Sequence, residues 1–232
     1  LVLATNSATR SRAMELGASR VELMLDTAVP MNMRPSPVAP QQPVTSAFTY
    51  LWVGRLIVLK GLRLALEAFE MAVVDADIKL RIVGDGPELA ESRAWVCEHN
   101  LGDRVTFTGR LEWNEVSGEY DRADAFLFSS LRDSSGAQVL EAVAFGLPVV
   151  TLDHHGIGEF LPDEASVKVP VTTPTATKYH LAAALAGLAN DRDGAKRKGD
   201  AATAFSREAT WPNKVAIAET YLGALLTHDC TH

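Results

Sequence analysis

Apolar residues in this chain fall into two kinds of pattern that alternate along it. Short continuous runs at residues 50–53, 79–83, 104–107, 125–128, 148–152 and 166–169 read as strands. Between them, residues 60–74, 88–99, 112–120 and 138–145 carry apolar positions three and four apart and read as helices. In the first of these, Leu62, Leu66, Phe69 and Val73 form one apolar stripe. Three further helical stretches, near 177–189, 195–205 and 211–226, close the pattern. Strand, helix, strand with short connections implies right-handed crossovers and a parallel sheet. Continuously apolar strands imply helices on both faces. The expected fold class is α/β, a doubly wound parallel sheet over residues 44–227.

The first forty residues behave differently. Residues 2–5 read as a short buried strand. Residues 6–16 read as a helix capped by Asn6 or Ser7 and stopped at Gly17, and residues 21–25 form a second apolar run. Prolines at 30, 35, 37, 40 and 43 forbid helix and strand interior alike, so residues 21–43 read as a strand and a Pro-rich linker. Residues 228–232 read as a tail. The chain opens inside a strand, without an initiator Met, as a piece of something longer does.

Composition narrows the class of partner. The 232 residues are 47% hydrophobic and 22% charged, ordinary values for a folded domain. The net charge is -7, and the densest basic cluster is Lys196, Arg197 and Lys198, which argues against a nucleic-acid partner. A small phosphorylated ligand needs only one or two cations and stays compatible. Two distant cysteines, Cys97 and Cys230, are neither a disulfide framework nor a metal pair and point to a reducing, cytoplasmic setting. No apolar run approaches the ~18–20 residues that span a bilayer.

Ligands of doubly wound sheets bind at the carboxyl ends of the strands. Gly54, Gly84, Gly109 and Gly136 all fall at or just after strand ends, where a backbone turns tightly or approaches a ligand. Four sequence constellations lie there or nearby. Gly54-Arg55 with Lys60-Gly61 resembles a phosphate-binding loop but has Leu59 and Gly61 where that motif needs Gly and Ser or Thr. What remains is a guanidinium just after a strand and an ammonium at a helix start, a pair suited to a diphosphate; solvated surface charges are the plain alternative. Gly84-Asp85-Gly86-Pro87 lacks the dinucleotide fingerprint and reads as a turn into the next helix, or as bare backbone against which a base could lie. The segment from Ser129 to Ala142 carries Asp133 and Glu141 on either side of Ser134, Ser135, Gly136, Ala137 and Gln138. Free amides at a helix N-terminus make an anion site, and a carboxylate on each side can accept from sugar hydroxyls; an N-capping Asp and a surface Glu are the alternative. Asp153-His154-His155 has no partner carboxylates of metal-site type, so no metal is expected.

In these residues the chain resembles the donor-binding C-terminal half of retaining GT-B glycosyltransferases of the large GT4 group. The matching pieces come in the family's order: Val53-Gly54-Arg55 with Lys60-Gly61; Ile82 to Pro87; Arg104 to Gly109; Ala123 to Leu127; and the block from Ser130 to Val150 with Leu140-Glu141-Ala142 and Gly146-Leu147-Pro148. Trp211 and Tyr221 are similar to its closing helix. The resemblance implies a Rossmann-like domain over 44–227, with residues 1–20 the remnant of an N-terminal acceptor domain that is otherwise missing. It implies a nucleotide-sugar donor (UDP-, GDP- or ADP-sugar) and no cofactor. Arg55 and Lys60 would hold the diphosphate and stabilise the leaving group, Glu141 the ribose, and Asp133 the transferred sugar. The amides of Gly136, Ala137 and Gln138 would meet phosphate or sugar oxygens, with Gly84 and the segment from Gly109 to Leu111 facing the base. A cytoplasmic enzyme peripheral to the membrane in its full-length form would fit the family.

The departures are Asp133 where the family usually has Glu, the apolar run from Leu56 to Leu59, and Gly158 in place of a common Pro before Glu159. The alternatives are a non-catalytic nucleotide- or sugar-binding module, a subunit that takes its acceptor site from a partner chain, and a GT-B relative of other chemistry such as an epimerase or phosphorylase.

Overall fold

The computed structural model describes residues 1–30, 47–133, 135–154 and 156–228, with side chains of the last helix described through residue 223. Most of the Pro-rich linker, Ser134, His155 and residues 229–232 lie outside that set.

Six strands form one parallel sheet in the order β5-β4-β3-β6-β7-β8. They are β3 (Phe48–Val53), β4 (Ile78–Val83), β5 (Val105–Gly109), β6 (Ala125–Phe128), β7 (Val149–Asp153) and β8 (Ser166–Pro170). The chain winds outward from β3 to β5, returns to lay β6 beside β3, and winds outward again to β8. Order reverses between β3 and β6, which is the doubly wound fold that the alternation predicts.

The helices are α2 (Leu62–Ala72), α3 (Leu89–Glu98), α4 (Trp113–Arg122), α5 (Ala137–Ala144), α6 (Ile157–Phe160), α7 (Pro174–Asn190), α8 (Arg192–Glu208) and α9 (Trp211–His228). On one face, Tyr50, Trp52, Leu80 and Ile82 pack with Leu62, Leu66 and Phe69 of α2, Trp95 of α3, and Leu181 and Leu185 of α7. On the other, Leu51, Val83, Phe126, Phe128 and Val149 pack with Val116 and Tyr120 of α4, Val139, Leu140 and Val143 of α5, and Ala202 of α8. Burial of apolar surface on both faces is the main favourable term, at about 25 cal/mol per Å².

Three details differ from the sequence expectation. The strand at residues 2–5 is β1 (Val2–Ala4), paired with β2 (Val21–Leu23) beside α1 (Ser7–Glu15), but it is not buried. Val2 and Leu3 are exposed and only Ala4 is covered. The sheet is not apolar throughout: in β4, Lys79 is exposed, and Arg81 is tolerated because α4 sets the buried carboxylate of Glu119 against it at 2.5 Å. Finally, Lys60 does not start a helix. It ends a 3-10 turn, Val58–Lys60, and Gly61 in the left-handed region redirects the chain into α2. The short α6 after β7 has too few residues for a periodicity to show in sequence.

Candidate functional site

A cavity of about 580 Å³ opens at the carboxyl ends of β3, β4 and β5, next to the point where strand order reverses. Val53, Gly54 and Arg55 line it from β3, Val83 to Gly86 from β4, Arg110 and Leu111 from the end of β5, Val116 from α4 and Gln138 from α5. Of the residues singled out from sequence, Gly54, Arg55, Gly84, Leu111 and Gln138 therefore converge on one space. Arg55 is exposed and meets no acceptor among the described residues.

The loops around the cavity are locked to one another through backbone. Leu56 donates its N–H to the Asp85 carbonyl at 3.0 Å, and Glu88 donates to the Leu56 carbonyl at 3.1 Å. Gly84 donates to the Gly109 carbonyl at 2.9 Å, which gives Gly109 a ladder role at the cavity rim. A Cβ on Gly84, at φ +137°, would stand 1.9 Å from the Gly54 carbonyl oxygen. Part of the room that the glycine frees is thus taken by protein backbone, not left for a ligand.

The Lys60 turn is fastened to the loop after β6. Leu131 donates its N–H to the Leu59 carbonyl at 2.8 Å, and the Ser129 and Ser130 hydroxyls donate to the carbonyls of Lys60 and Leu59 at 3.2 Å each. Ser129 in turn accepts from the Trp52 indole at 3.1 Å. Side chains of any size at 61 are excluded, since a Cβ there would lie 2.2 Å from the Ser129 carbonyl oxygen. This fastening brings Lys60 to Asp133: Nζ donates to Oδ2 in a pair whose side chains are 22% and 18% exposed. The other Asp133 oxygen, Oδ1, accepts from the Gly136 N–H at 3.3 Å. Asp133 thus bridges the ammonium and the start of α5.

Sequence reading places Lys60 on phosphate and Asp133 on sugar as separate groups; here they neutralise each other, and neither lines the cavity. At the α5 N-terminus Gly136 is the cap residue, and the amides of Ala137 and Gln138 meet no acceptor among the described residues. Ser135 is buried, and its hydroxyl has no hydrogen-bond partner among them either. Unsatisfied donors at a helix N-terminus, backed by the helix dipole, favour an anion.

Glu141 sits one turn past Gln138 and is partly buried. Its Oε2 accepts from the Tyr120 hydroxyl at 2.7 Å, while Oε1 meets no donor among the described residues. Burial pushes the Glu141 carboxyl above its ordinary range, and the Tyr120 bond works against that shift. Arg110 falls within the Gly109 to Leu111 segment that the resemblance turns towards the base, whereas Val116 and Tyr120 have no place in the sequence reading. Arg110 follows a strand-ending glycine just as Arg55 does, and Val116 and Tyr120 are one helical turn apart on α4, so both signals were present. His154 directs Nε2 at the Leu131 carbonyl at 3.0 Å, which makes it part of the loop framework. Among the described residues no cluster of three or more His, Cys, Asp or Glu could hold a metal, and no helix is long and apolar enough to cross a membrane.

Comparison with known proteins bears on the family and the fold. The family model described as "Glycosyl transferases group 1" matches residues 39–205. A 2-deoxystreptamine glucosyltransferase of Streptomyces kanamyceticus is 36% identical over 108 residues, 46% of this chain and 27% of that protein. The sulfoquinovosyl transferase SQD2 of Arabidopsis thaliana is 27% identical over 181 residues, 78% of this chain and 33% of its own length. Among solved structures, that of Anabaena Alr3699/HepE in complex with UDP superposes with a TM-score of 0.77 at 21% identity, over 98% of this chain and 64% of that one, a likeness of fold. The chain spans less than half the length of the curated relatives it matches.

Proposed function

The chain belongs to the glycosyl transferases group 1 family, and from that premise we propose that it is the donor-binding part of a glycosyltransferase that uses a nucleoside-diphosphate sugar. One observation carries the reading. Arg55, without an acceptor of its own, lines the same strand-end cavity as Gln138 of the amide-presenting α5 N-terminus, at the switch point of the sheet.

The base and ribose lie in the cavity between the Gly84 and Arg110-Leu111 segments, and Glu141 accepts a ribose hydroxyl at Oε1. The diphosphate lies between Arg55, Lys60 and the amides of Ala137 and Gln138. When the bond from the anomeric carbon to the diphosphate oxygen breaks, negative charge grows on that oxygen. The guanidinium and ammonium stabilise it there more than in the ground state, which is how they lower the barrier. Lys60 exchanges part of its bond with Asp133 for phosphate oxygen, and Asp133 is left facing the sugar hydroxyls. Its side chain is one carbon shorter than the Glu usual in the GT4 group, so it reaches a different hydroxyl. The reading includes retention at the anomeric carbon, a GT4-type enzyme and residues 44–227 as the donor domain.

The acceptor site and acceptor-binding residues come from outside this chain, in keeping with the share of its relatives that it spans. The isolated chain therefore binds a donor nucleotide without turnover. Melting curves with UDP, GDP and ADP test this: one nucleotide raises the midpoint, as mass action requires of a ligand that binds only the folded state. No shift with any of the three overturns the reading.

A further inference from the structure

The hydroxyl of Tyr120 is buried at a place where a phenylalanine would otherwise serve. The residue is fully covered, and its ring stacks on Phe145 at 5.2 Å and tilts against Phe126 at 5.9 Å. Those neighbours are apolar, and burying a hydroxyl among them costs free energy unless it finds a partner. The partners it finds are both on α5, whose Gln138 lines the cavity. They are Glu141 Oε2 at 2.7 Å and the Gln138 carbonyl at 3.4 Å. The shorter contact is the bond, and it goes to a carboxylate, the stronger class of acceptor. One turn before Tyr120 on α4, Val116 lines the cavity.

We propose that Tyr120 is a positioning residue for the nucleotide site. By engaging Oε2 it fixes the Glu141 carboxylate so that Oε1 stays turned towards a ribose hydroxyl. The proposal rests on the reading above that Glu141 takes the ribose. Packing alone does not require the hydroxyl, because the ring contacts to Phe126 and Phe145 are those of a phenylalanine. The carboxylate by itself is free to rotate about its terminal torsion, which is broad for Glu. A donor from a rigid, fully buried ring on another helix removes that freedom before the ligand arrives, which lowers the ordering cost of binding.

Calorimetric titration with UDP, GDP and ADP, each alongside its 2′-deoxy counterpart, tests the inference on the chain as it stands, using the tightest-binding base. The wild-type chain should prefer the ribonucleotide by about tenfold, the worth of one hydrogen bond to a charged group. Tyr120→Phe should lose roughly three- to tenfold of ribonucleotide affinity, with little change for the deoxynucleotide and a melting point near that of the wild type. In a Glu141→Ala background the same substitution should have no further effect, a coupling that a purely structural role does not produce.

If Glu141→Ala weakens binding and Tyr120→Phe leaves both affinities unchanged, the positioning role is overturned and the ribose reading stands. An equal loss for both nucleotides that persists without Glu141 overturns it as well, as does failure of Tyr120→Phe to fold, which would make the hydroxyl a stability element. If Glu141→Ala binds like wild type, or no nucleotide binds at all, the ribose reading falls and the role of Tyr120 falls with it.

Discussion

Two tyrosines, one on each face of the sheet, are equally buried and put the same group to different uses. Tyr50 of β3 points into the face covered by α2 and α7 and donates its hydroxyl to the Leu185 carbonyl at 2.6 Å. Its phenol is pushed far above the ordinary range, first by desolvation and then by the nearby Asp124 carboxylate, so it is a permanent donor. Tyr120 points into the opposite face and donates to a carboxylate one turn from the cavity lining. The first face is closed: its Tyr50 hydroxyl is taken by helix backbone and its Trp52 indole by the Ser129 hydroxyl. The second is open at one end, where α4 and α5 meet the strand ends, and its polar groups are arranged around the cavity. Satisfying a buried donor is required on both faces; only on the second does the acceptor keep a free oxygen.

The comparison can be broken most severely in the closed face. Leu66→Ala removes a fully buried side chain and should cost about 2–5 kcal/mol in a denaturant melt, with nucleotide affinity per folded molecule unchanged. A parallel loss of affinity would mean that the faces are not independent. In the open end the effect reverses. Arg55→Ala, at an exposed position, should leave the melt within ~0.5 kcal/mol. It should weaken nucleoside diphosphate binding by roughly ten- to a hundredfold, the range for hydrogen bonds to a charged group. Calorimetry on the same sample decides.

Tyr50→Phe should cost about 1 kcal/mol of stability and nothing in affinity, the mirror image of Tyr120→Phe. The smallest effect concerns pH. Glu141 has a folded-state carboxyl raised by burial from its ordinary value of 4.5, so the folded chain holds that proton more tightly than the unfolded one. Its contribution to stability therefore declines as pH rises through the window from 4.5 up to the raised value. The ribose role proposed for Glu141 needs the ionised form, so on that reading affinity falls as pH drops through the same window. Titrations between pH 4 and 8 should show affinity lost at a higher pH than an exposed glutamate would give, and Glu141→Gln should remove that acid limb.

Most of the architecture was legible because it rests on local spacing. The stripe Leu62, Leu66 and Phe69 predicts α2, and all three are fully buried. The strand-end glycines pointed to the right edge of the sheet, and Arg55 was legible there because it directly follows one of them. Other features were hidden for physical reasons. The charge balance of Lys60 could not be read, because its partner Asp133 lies beyond three helices and three strands and is brought near by the fastening of the Lys60 turn to the loop after β6. The exposure of β1 was misread because three apolar residues look alike whether or not another element covers them. Tyr120 looked like one more core aromatic, and the bond to Glu141 that distinguishes it is invisible in the spacing of α4.

The order of elements, their parallel pairing and the edge that carries the cavity follow from the amino-acid sequence alone. They depend on periodicity, on turn residues and on the handedness of crossovers, all of which act over a few neighbouring positions. Which cation faces which acid, and which carboxylate oxygen remains available, was decided only in the folded chain. A buried polar group must take whatever partner packing brings to it, and that partner comes from a segment distant in sequence.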